Sequence, residues 1–246
     1  MVEEAFYGIH AVLALLQHAR SRVDKILLGE TRMRAELQDI VALAAQRQVP
    51  LEKVARTHLD RVLGHKAHQG VVAFAEPLTC TPLAHVERQL KAVQGAQTIV
   101  ALDGVTDVGN FAALMRAAVA FGVNVILLPR HHSVGLTPTT MKRSAGAAAR
   151  LSVVQAGNLV RTLEMLKGQG FWIFGAEARA EMPVARVVWP ERIVLILGAE
   201  GRGMRRLVRE SCDTLVRIPM SPGNNSLNVA MAGAIILSHI WESQGE

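Results

Sequence analysis

Residues 192–198, RIVLILG, contain an unbroken run of large apolar side chains from Ile193 to Leu197. A strand without a polar face indicates that both faces of its sheet are covered. Such burial is typical of a parallel sheet with helices on either side. This stretch therefore predicts an α/β fold for its part of the chain.

The segments around this strand alternate in the same way between apolar strands and helices. Strands are predicted at 98–105, 123–129, 171–177 and 214–220. Helices are predicted at 110–122, 137–149, 159–170 and 205–212. Ligands bind such sheets beyond the carboxyl ends of the strands, so the loops at those ends are the places where function is expected.

The first 76 residues form a smaller α/β pattern, with helices at 11–20 and 34–48 and strands at 23–30 and 70–76. The polar segment 58–70 is predicted to be a surface loop. It carries three histidines, one Lys and one Arg, so it is either an RNA contact or a solvated connection. After the strand 70–76, Pro77 and Pro82 open a stretch that is either a linker or an entering helix. We therefore divide the chain into a domain at 1–76, a linker at 77–96 and a domain at 97–246.

The composition of the chain restricts its possible functions further. The chain has 246 residues, half of them hydrophobic and 20% charged, which is typical of a globular protein. No apolar stretch is long enough to span a membrane and no signal peptide opens the chain, so a cytoplasmic protein is expected. The net charge of +6 fits a polyanionic partner, whereas the 4% aromatic content argues against a stacked aromatic platform for RNA.

The cysteines and histidines suggest no metal or disulfide chemistry. Cys80 and Cys212 stand far apart, without a ligand pattern around either of them. His131 and His132 are adjacent, but no His-Glu-x-x-His or related arrangement occurs. A metal site is not expected.

The first informative loop is LDGVTDVGNFAALMRAA, residues 102–118, which follows the strand that ends at Asp103. Asn110 stands at the start of the next helix and Arg116 six residues later. One interpretation makes Asn110 a helix N-cap and Arg116 a surface cation. The other makes both residues functional, because the neighbours of Arg116 on both sides are apolar.

The second loop is LILGAEGRGMRR, residues 195–206, with glycines at 198, 201 and 203. Their spacing is neither that of a dinucleotide fingerprint nor that of a P-loop. Glu200 in the middle would repel a phosphate. An acid among bare peptide groups instead suits a ligand with a cation or with hydrogen-bond donors.

The third loop is IPMSPGNNSLNVAMAGAIIL, residues 218–237, in which a strand end and a polar patch precede an apolar helix. Asn228 is predicted to lie in the first turn of that helix. A helix N-cap at Ser226 or Asn225 would explain the polar patch without any function. The alternative is a binding loop at a third strand end.

In order and content, these loops resemble the three signature motifs of the SpoU class of RNA ribose 2'-O-methyltransferases in the SPOUT superfamily. The matches are Asn110 with Arg116, the GxEGxG loop at 198–203, and IPM at 218–220 with SLNV at 226–229. The first motif departs from the family at Val108 and Ala112, where Pro and Gly are usual. The stretches YGIHAV and GHKAHQGVVA in the front part resemble the family's substrate-binding domain.

This resemblance implies an α/β domain with a parallel sheet and a deep trefoil knot, behind a small N-terminal domain similar to ribosomal protein L30e. It implies methyl transfer from S-adenosylmethionine to a ribose 2'-hydroxyl, in a homodimer. The catalytic residues would be Arg116, Asn110, Glu200, Ser226 and Asn228. The cofactor would lie against Gly198, Ala199, Glu200, Gly201, Ile218, Met220, Ser226 and Leu227.

Within the family, the chain is most similar to bacterial enzymes that methylate a guanosine of 23S ribosomal RNA. Basic residues that could contact the RNA are Arg130, Lys142, Arg143, Arg202, Arg205 and Arg206. Two other functions stay open: a tRNA ribose methyltransferase and a non-catalytic RNA-binding protein of the same fold. A nicotinamide oxidoreductase is excluded because its fingerprint is missing.

Overall fold

The computed structural model describes residues 3–18, 22–30, 35–130, 133–223 and 226–245. The expectations for His131, His132 and Asn225 lie outside these residues. The chain forms two compact units. The first unit contains the residues up to Thr79 together with Gly135–Arg150, and the second contains Cys80–Val134 and Leu151–Glu246.

The first unit is built on a four-stranded sheet. Its N-terminal elements are β1 (Glu4–Tyr7), α1 (Ile9–Gln17), β2 (Val23–Gly29), α2 (Ala35–Gln46), β3 (Leu51–Val54), α3 (Arg56–Leu63) and β4 (Val71–Ala75). The strand order is β1-β4-β2-β3, in which β4 is antiparallel to both neighbours and β3 is parallel to β2. The core contains Phe6, Leu16, Ile26 and Ile40, which are fully buried.

The remaining elements follow in chain order. They are α4 (Leu83–Ala92), β5 (Gln97–Asp103), α5 (Val108–Ala120), β6 (Val125–Pro129), α6 (Pro138–Arg143), α7 (Ala147–Arg150), β7 (Ser152–Ala156), α8 (Leu159–Lys167), β8 (Trp172–Ala176), β9 (Met182–Pro183), a 3₁₀ helix (Val184–Arg186), β10 (Arg192–Gly198), α9 (Arg206–Glu210), β11 (Thr214–Arg217) and α10 (Val229–Ser243). All of them except α6 and α7 belong to the second unit.

The second unit contains a seven-stranded sheet in the order β7-β6-β5-β10-β8-β11-β9, and every neighbouring pair is parallel. Strand β10 lies near its centre, and the five residues 193–197 are all buried. Val194 and Ile196 face a core that includes Leu163 of α8. Leu197 points to the other face, where it approaches Gly233 of α10. The predicted parallel sheet with two covered faces is therefore confirmed.

Segment 58–70 differs from its predicted loop structure, because α3 covers its first part. Leu59 is fully buried and Leu63 packs against the same small core, one helical turn later. Two apolar residues at this spacing give the otherwise polar helix its buried stripe. Gly64 ends it in the left-handed conformation, as expected for a residue after a helix C-terminus.

The predicted helix 137–149 is interrupted, which gives the short helices α6 and α7. Ala145 and Gly146 have φ values of 50° and 86°, so the chain cannot continue as a right-handed helix there. A Cβ atom on Gly146 would lie 2.7 Å from the carbonyl oxygen of His10 in α1. Gly146 therefore packs directly against α1 within the first unit.

Strands β1, β3, β7 and β9, which have two to five residues each, were not predicted. Within the described residues, no helix is both long and apolar enough to cross a membrane.

Candidate active site

Three side chains, one from each informative loop, form a single hydrogen-bonded cluster. Asn110 Nδ2 donates to Glu200 Oε1 at 2.9 Å, and Asn228 Nδ2 donates to the same oxygen at 2.9 Å. Asn228 Nδ2 also donates to Asn110 Oδ1 at 2.6 Å. Residues 90 and 118 positions apart in the chain thus meet at the carboxyl ends of β5 and β10. We call these three side chains the Asn-Glu-Asn cluster.

Glu200 is the centre of this cluster. Besides the two amide groups, the peptide N–H of Val229 approaches Glu200 Oε1 at 3.4 Å. Three donors therefore converge on one oxygen, whereas Glu200 Oε2 makes no hydrogen bond with a described residue. The side chain is exposed, so this second oxygen can accept a hydrogen bond from a ligand.

Asn228 has two roles at once. Its Oδ1 accepts from the peptide N–H groups of Ala230 at 2.9 Å and Met231 at 3.4 Å, which makes it the N-cap of α10. Its Nδ2 serves the Asn-Glu-Asn cluster. The alternative in which Ser226 caps the helix is therefore wrong, because the helix begins three residues later at Val229. The prediction that Asn228 lies inside the first turn is also wrong, since Asn228 precedes that turn as the N-cap. An asparagine is needed because Ser could cap the helix but could not supply the amide donor.

Asn110 is not the N-cap of α5. Asp107 has that role, and its carboxylate accepts from the peptide N–H of Asn110 at 2.7 Å. Asn110 lies in the first turn, which frees its side chain for the cluster. Val108 is the first helical residue, a position that suits Pro as well as Val, so this departure from the family motif keeps the same helix start. Ala112 is buried inside α5.

Arg116 lies on α5 with its side chain exposed. It makes no hydrogen bond or ion pair with any described residue. The structure therefore does not bring Arg116 into the Asn-Glu-Asn cluster. Arg116 lies on the same helix as Asn110 and has no partner within the described chain, so its positive charge is available to an anionic ligand.

The glycine loop at 198–204 is closed at its base. Ala199 and Gly203 exchange two backbone hydrogen bonds, of 3.1 and 2.8 Å. A Cβ atom on Gly198 would lie 2.3 Å from the carbonyl carbon of Gly203, so only glycine fits this position. Gly201 and Gly203 have positive φ and open space around them. The loop thus presents bare peptide groups beside Glu200.

Asp103 is a residue of the site that the sequence did not single out. It is the last residue of β5 and is paired in register with Gly198 of β10. Its side chain is completely buried, and its two oxygens accept from the peptide N–H and the Nε of Arg205, both at 2.7 Å. The sequence feature that could have indicated Asp103 is its position directly after four apolar strand residues.

The third loop crosses the sheet. Ile218 and Met220 follow β11, which is separated from β10 by β8. Leu227 and Asn228 lie at the other end of the loop, where Asn228 contacts the residues that follow β5 and β10. Ser226 is exposed and makes no hydrogen bond with a described residue. The described residues of the loop therefore lie at the carboxyl ends of β11, β5 and β10.

The cysteines and possible metal ligands of the described residues add little to the chemistry of the site. Burial raises the pKa of the Cys212 thiol to about 12, and burial also raises the pKa of Cys80. No group of three His, Cys, Asp or Glu side chains that could hold a metal ion occurs in the described part of the chain.

Comparison with known protein families matches residues 97–238 to the SpoU rRNA methylase family. Residues 6–80 match the RNA 2'-O ribose methyltransferase substrate-binding family. The chain belongs to the SpoU rRNA methylase family. The resemblance seen in the three loops is thereby confirmed.

Related proteins and solved structures agree with this membership. The 23S rRNA (guanosine-2'-O-)-methyltransferase RlmB of Pseudomonas putida is 41% identical, over 95% of this chain and 94% of the relative. The RlmB protein of Salmonella typhimurium is 35% identical, over 96% of this chain and 97% of its own length. The SpoU methyltransferase AviRb of Streptomyces viridochromogenes, solved in complex with AdoMet, has a TM-score of 0.80 at 20% identity, over 98% of this chain and 90% of that chain. These likenesses confirm the α/β SPOUT fold class, and the trefoil knot stays a prediction.

Proposed function

We propose that the protein transfers a methyl group from S-adenosylmethionine to the ribose 2'-hydroxyl of a guanosine in 23S ribosomal RNA. The observation that carries this proposal is the Asn-Glu-Asn cluster, in which one residue from each family motif meets the other two. The target follows the relatives of 35–41% identity, whose names state 23S rRNA and guanosine. We also propose that the reaction takes place in the cytoplasm, because the proposed substrate is ribosomal RNA.

The loops offer suitable groups for the cofactor. The peptide groups of Gly201, Met220 and Leu227 make no hydrogen bonds with described residues, so their donors and acceptors are available to a ligand. We assign the cofactor to the loop residues Gly198, Ala199, Glu200, Gly201, Ile218, Met220, Ser226 and Leu227. When bound, S-adenosylmethionine supplies an electrophilic methyl group.

The side chains have separate tasks in this account. Asn110, Glu200 and Asn228 hold the three loops in one arrangement, and Ser226 and Glu200 Oε2 are free to orient the ribose. Arg116 binds the adjacent phosphate, because its exposed guanidinium has no acidic partner in the described chain. Its positive charge also favours the ionised form of the 2'-hydroxyl, which is the nucleophile. In-line placement of the hydroxyl also contributes to the rate enhancement.

Several basic residues that the sequence suggested as RNA contacts are already engaged. Arg205 binds Asp103, Arg206 binds Glu210 at 2.8 Å, and Lys142 donates to Gln69 Oε1. Arg130, Arg143 and Arg202 are exposed and make no ion pair with a described residue. We therefore propose these last three as the phosphate contacts, with residues 1–76 as the RNA-binding domain.

A homodimer is also proposed, through the exposed side of α10. Met231 and Ile235 lie one turn apart on this helix and are 57% and 36% exposed. The opposite side is packed in its own unit, where a Cβ atom on Gly233 would lie 2.4 Å from Leu114 Cδ1. Two exposed apolar side chains on a helix whose opposite face is tightly packed suit contact with a second copy of the chain.

Replacing Met231 and Ile235 with Asp is expected to halve the particle mass measured by light scattering, because charges in an apolar interface prevent association. Val188→Asp is the matched control, since Val188 is also exposed and apolar but lies outside α10. A wild-type protein that is already monomeric would contradict the dimer.

Titration calorimetry with S-adenosylmethionine tests the proposed cofactor directly. We expect binding of the cofactor and of its demethylated product. A protein that binds ribosomal RNA but neither of these ligands would be a non-catalytic RNA-binding protein, and the proposed function would be wrong.

A further inference from the structure

Asp103 is an unusual acid in this structure. Its side chain has 0% exposure, whereas the carboxylates in all the other ion pairs of the described residues are at least 18% exposed. Both oxygens are used, since Oδ2 accepts from the peptide N–H of Arg205 and Oδ1 from its Nε, each at 2.7 Å. The guanidinium itself is largely in water, with 62% of the Arg205 side chain exposed.

Burying a carboxylate is costly, and replacing a whole buried ion pair by apolar residues of similar volume is often neutral or stabilising, although removing only one partner is destabilising. Stability alone therefore does not explain why an acid occupies this position. The geometry of its two hydrogen bonds explains the acid, because they fix the peptide group of Arg205 as well as its side chain. An acid that binds a peptide group sets the position of the backbone there.

The backbone that Asp103 fixes is the end of the glycine loop. Asp103 lies beside Gly198 in the sheet, where the loop begins, and binds Arg205, where the loop has just ended. The loop itself is closed by the two bonds between Ala199 and Gly203. On the other side, a Cβ atom on Gly104 would lie 3.4 Å from Ala199 Cβ, so the segment after Asp103 packs against the same loop.

Glu200 projects from this loop into the Asn-Glu-Asn cluster. Its hydrogen bonds to Asn110 and Asn228 are both 2.9 Å long. A small displacement of the loop would lengthen both of them. The orientation of Glu200 thus depends on how firmly the two ends of the loop are held.

We infer that Asp103 is a positioning residue for methyl transfer: by binding Arg205 it holds the glycine loop where Glu200 meets Asn110 and Asn228. This inference rests on the proposed function, because the loop is there the cofactor site. It also changes the role of Arg205 from an RNA contact to the partner of Asp103.

The test compares Asp103→Asn, Arg205→Ala and the double variant with the wild type. Affinity for S-adenosylmethionine is measured by calorimetry, and kcat is measured with ribosomal RNA. Each single change should weaken cofactor binding or lower kcat by about tenfold to a hundredfold, since small misplacements in a site have effects of that size. The double variant should be no worse than the more affected single variant, because both changes break the same interaction.

Arg206→Ala is the matched control. Arg206 is the next residue in the chain, but it pairs with Glu210 on the surface of its own helix. Its loss should leave cofactor affinity unchanged. The salt dependence of RNA binding gives a second readout, because loss of a true phosphate contact reduces the slope of log K against log salt by about 1. Arg205→Ala should leave that slope unchanged.

Three outcomes would overturn the inference. One is Asp103→Asn with wild-type cofactor affinity and kcat and only a lower melting temperature, which would make the pair merely structural. Another is additive effects of the two single changes. The third is a reduced salt slope for Arg205→Ala, which would return Arg205 to the RNA surface. If the wild type itself binds no S-adenosylmethionine, the proposed function fails instead, and calorimetry on the wild type separates that case.

Discussion

Arg116→Ala is expected to lower kcat for RNA methylation about 10²- to 10³-fold, the usual loss when one group that stabilises transition-state charge is removed. The side chain is exposed and makes no bond within the described chain, so the fold should be unaffected. Affinity for S-adenosylmethionine should stay at the wild-type value, since the cofactor is assigned to other loops. Single-turnover kinetics and calorimetry measure the two quantities separately.

Arg116→Lys is the control for this prediction. It keeps the positive charge but loses the planar fork that matches a phosphate, so part of the activity should return. Full activity of Arg116→Ala on normal RNA would contradict the role given to this residue. Equal loss of cofactor binding would indicate instead that Arg116 supports the pocket.

Asn228→Ala should have the second large effect, because it removes two functions of one side chain. Loss of the N-cap of α10 is expected to lower the free energy of unfolding by about 1 kcal/mol. Loss of the Nδ2 donor leaves Asn110 Oδ1 and Glu200 Oε1 without a shared partner, and methylation should fall at least tenfold, as expected for a disturbed site geometry. Denaturant unfolding and the methylation rate report the two effects independently.

Asn228→Ser separates these effects. Serine is as good an N-cap as asparagine, so the stability should stay near that of the wild type. It cannot reach the cluster with an amide, so the activity should be lost as in Asn228→Ala. A serine variant with normal activity would show that the cluster is not needed for the reaction.

Much of the second unit could be predicted from the sequence, because long apolar runs leave few alternatives. The run at 193–197 indicates burial on both faces, and β10 has that environment. The rule that functional loops gather at the carboxyl ends of parallel strands also predicted that the three informative loops lie close together, and the structure confirms this proximity. Asn110, Glu200 and Asn228 are in direct contact, although nothing in a sequence measures that distance.

The errors have a common physical cause, which is that short polar segments support several local structures. Asp107 and Asn110 are both good N-caps, and only the tertiary contact of Asn110 with Glu200 decides between them. Helix α3 was taken for a loop because its buried stripe consists of few residues. The close packing of Gly146 against α1 is likewise indicated by no pattern in the sequence.

Asp103 was not predicted as a site residue for a different reason. An acid at a strand end is usually solvated, so its pattern predicts nothing special. Its role depends on Arg205, which stands 102 positions away in the chain and is brought near Asp103 by the pairing of strands β5 and β10.

The most direct test of the central claim is transfer of tritium from methyl-labelled S-adenosylmethionine to total ribosomal RNA and to tRNA. The modified position is then mapped by its resistance to alkaline hydrolysis, which a 2'-O-methyl group confers on the adjacent linkage. We predict label at one guanosine of 23S RNA. Label in tRNA alone would keep the chemistry and change the target, whereas no label in either RNA would contradict the proposed methyltransferase activity.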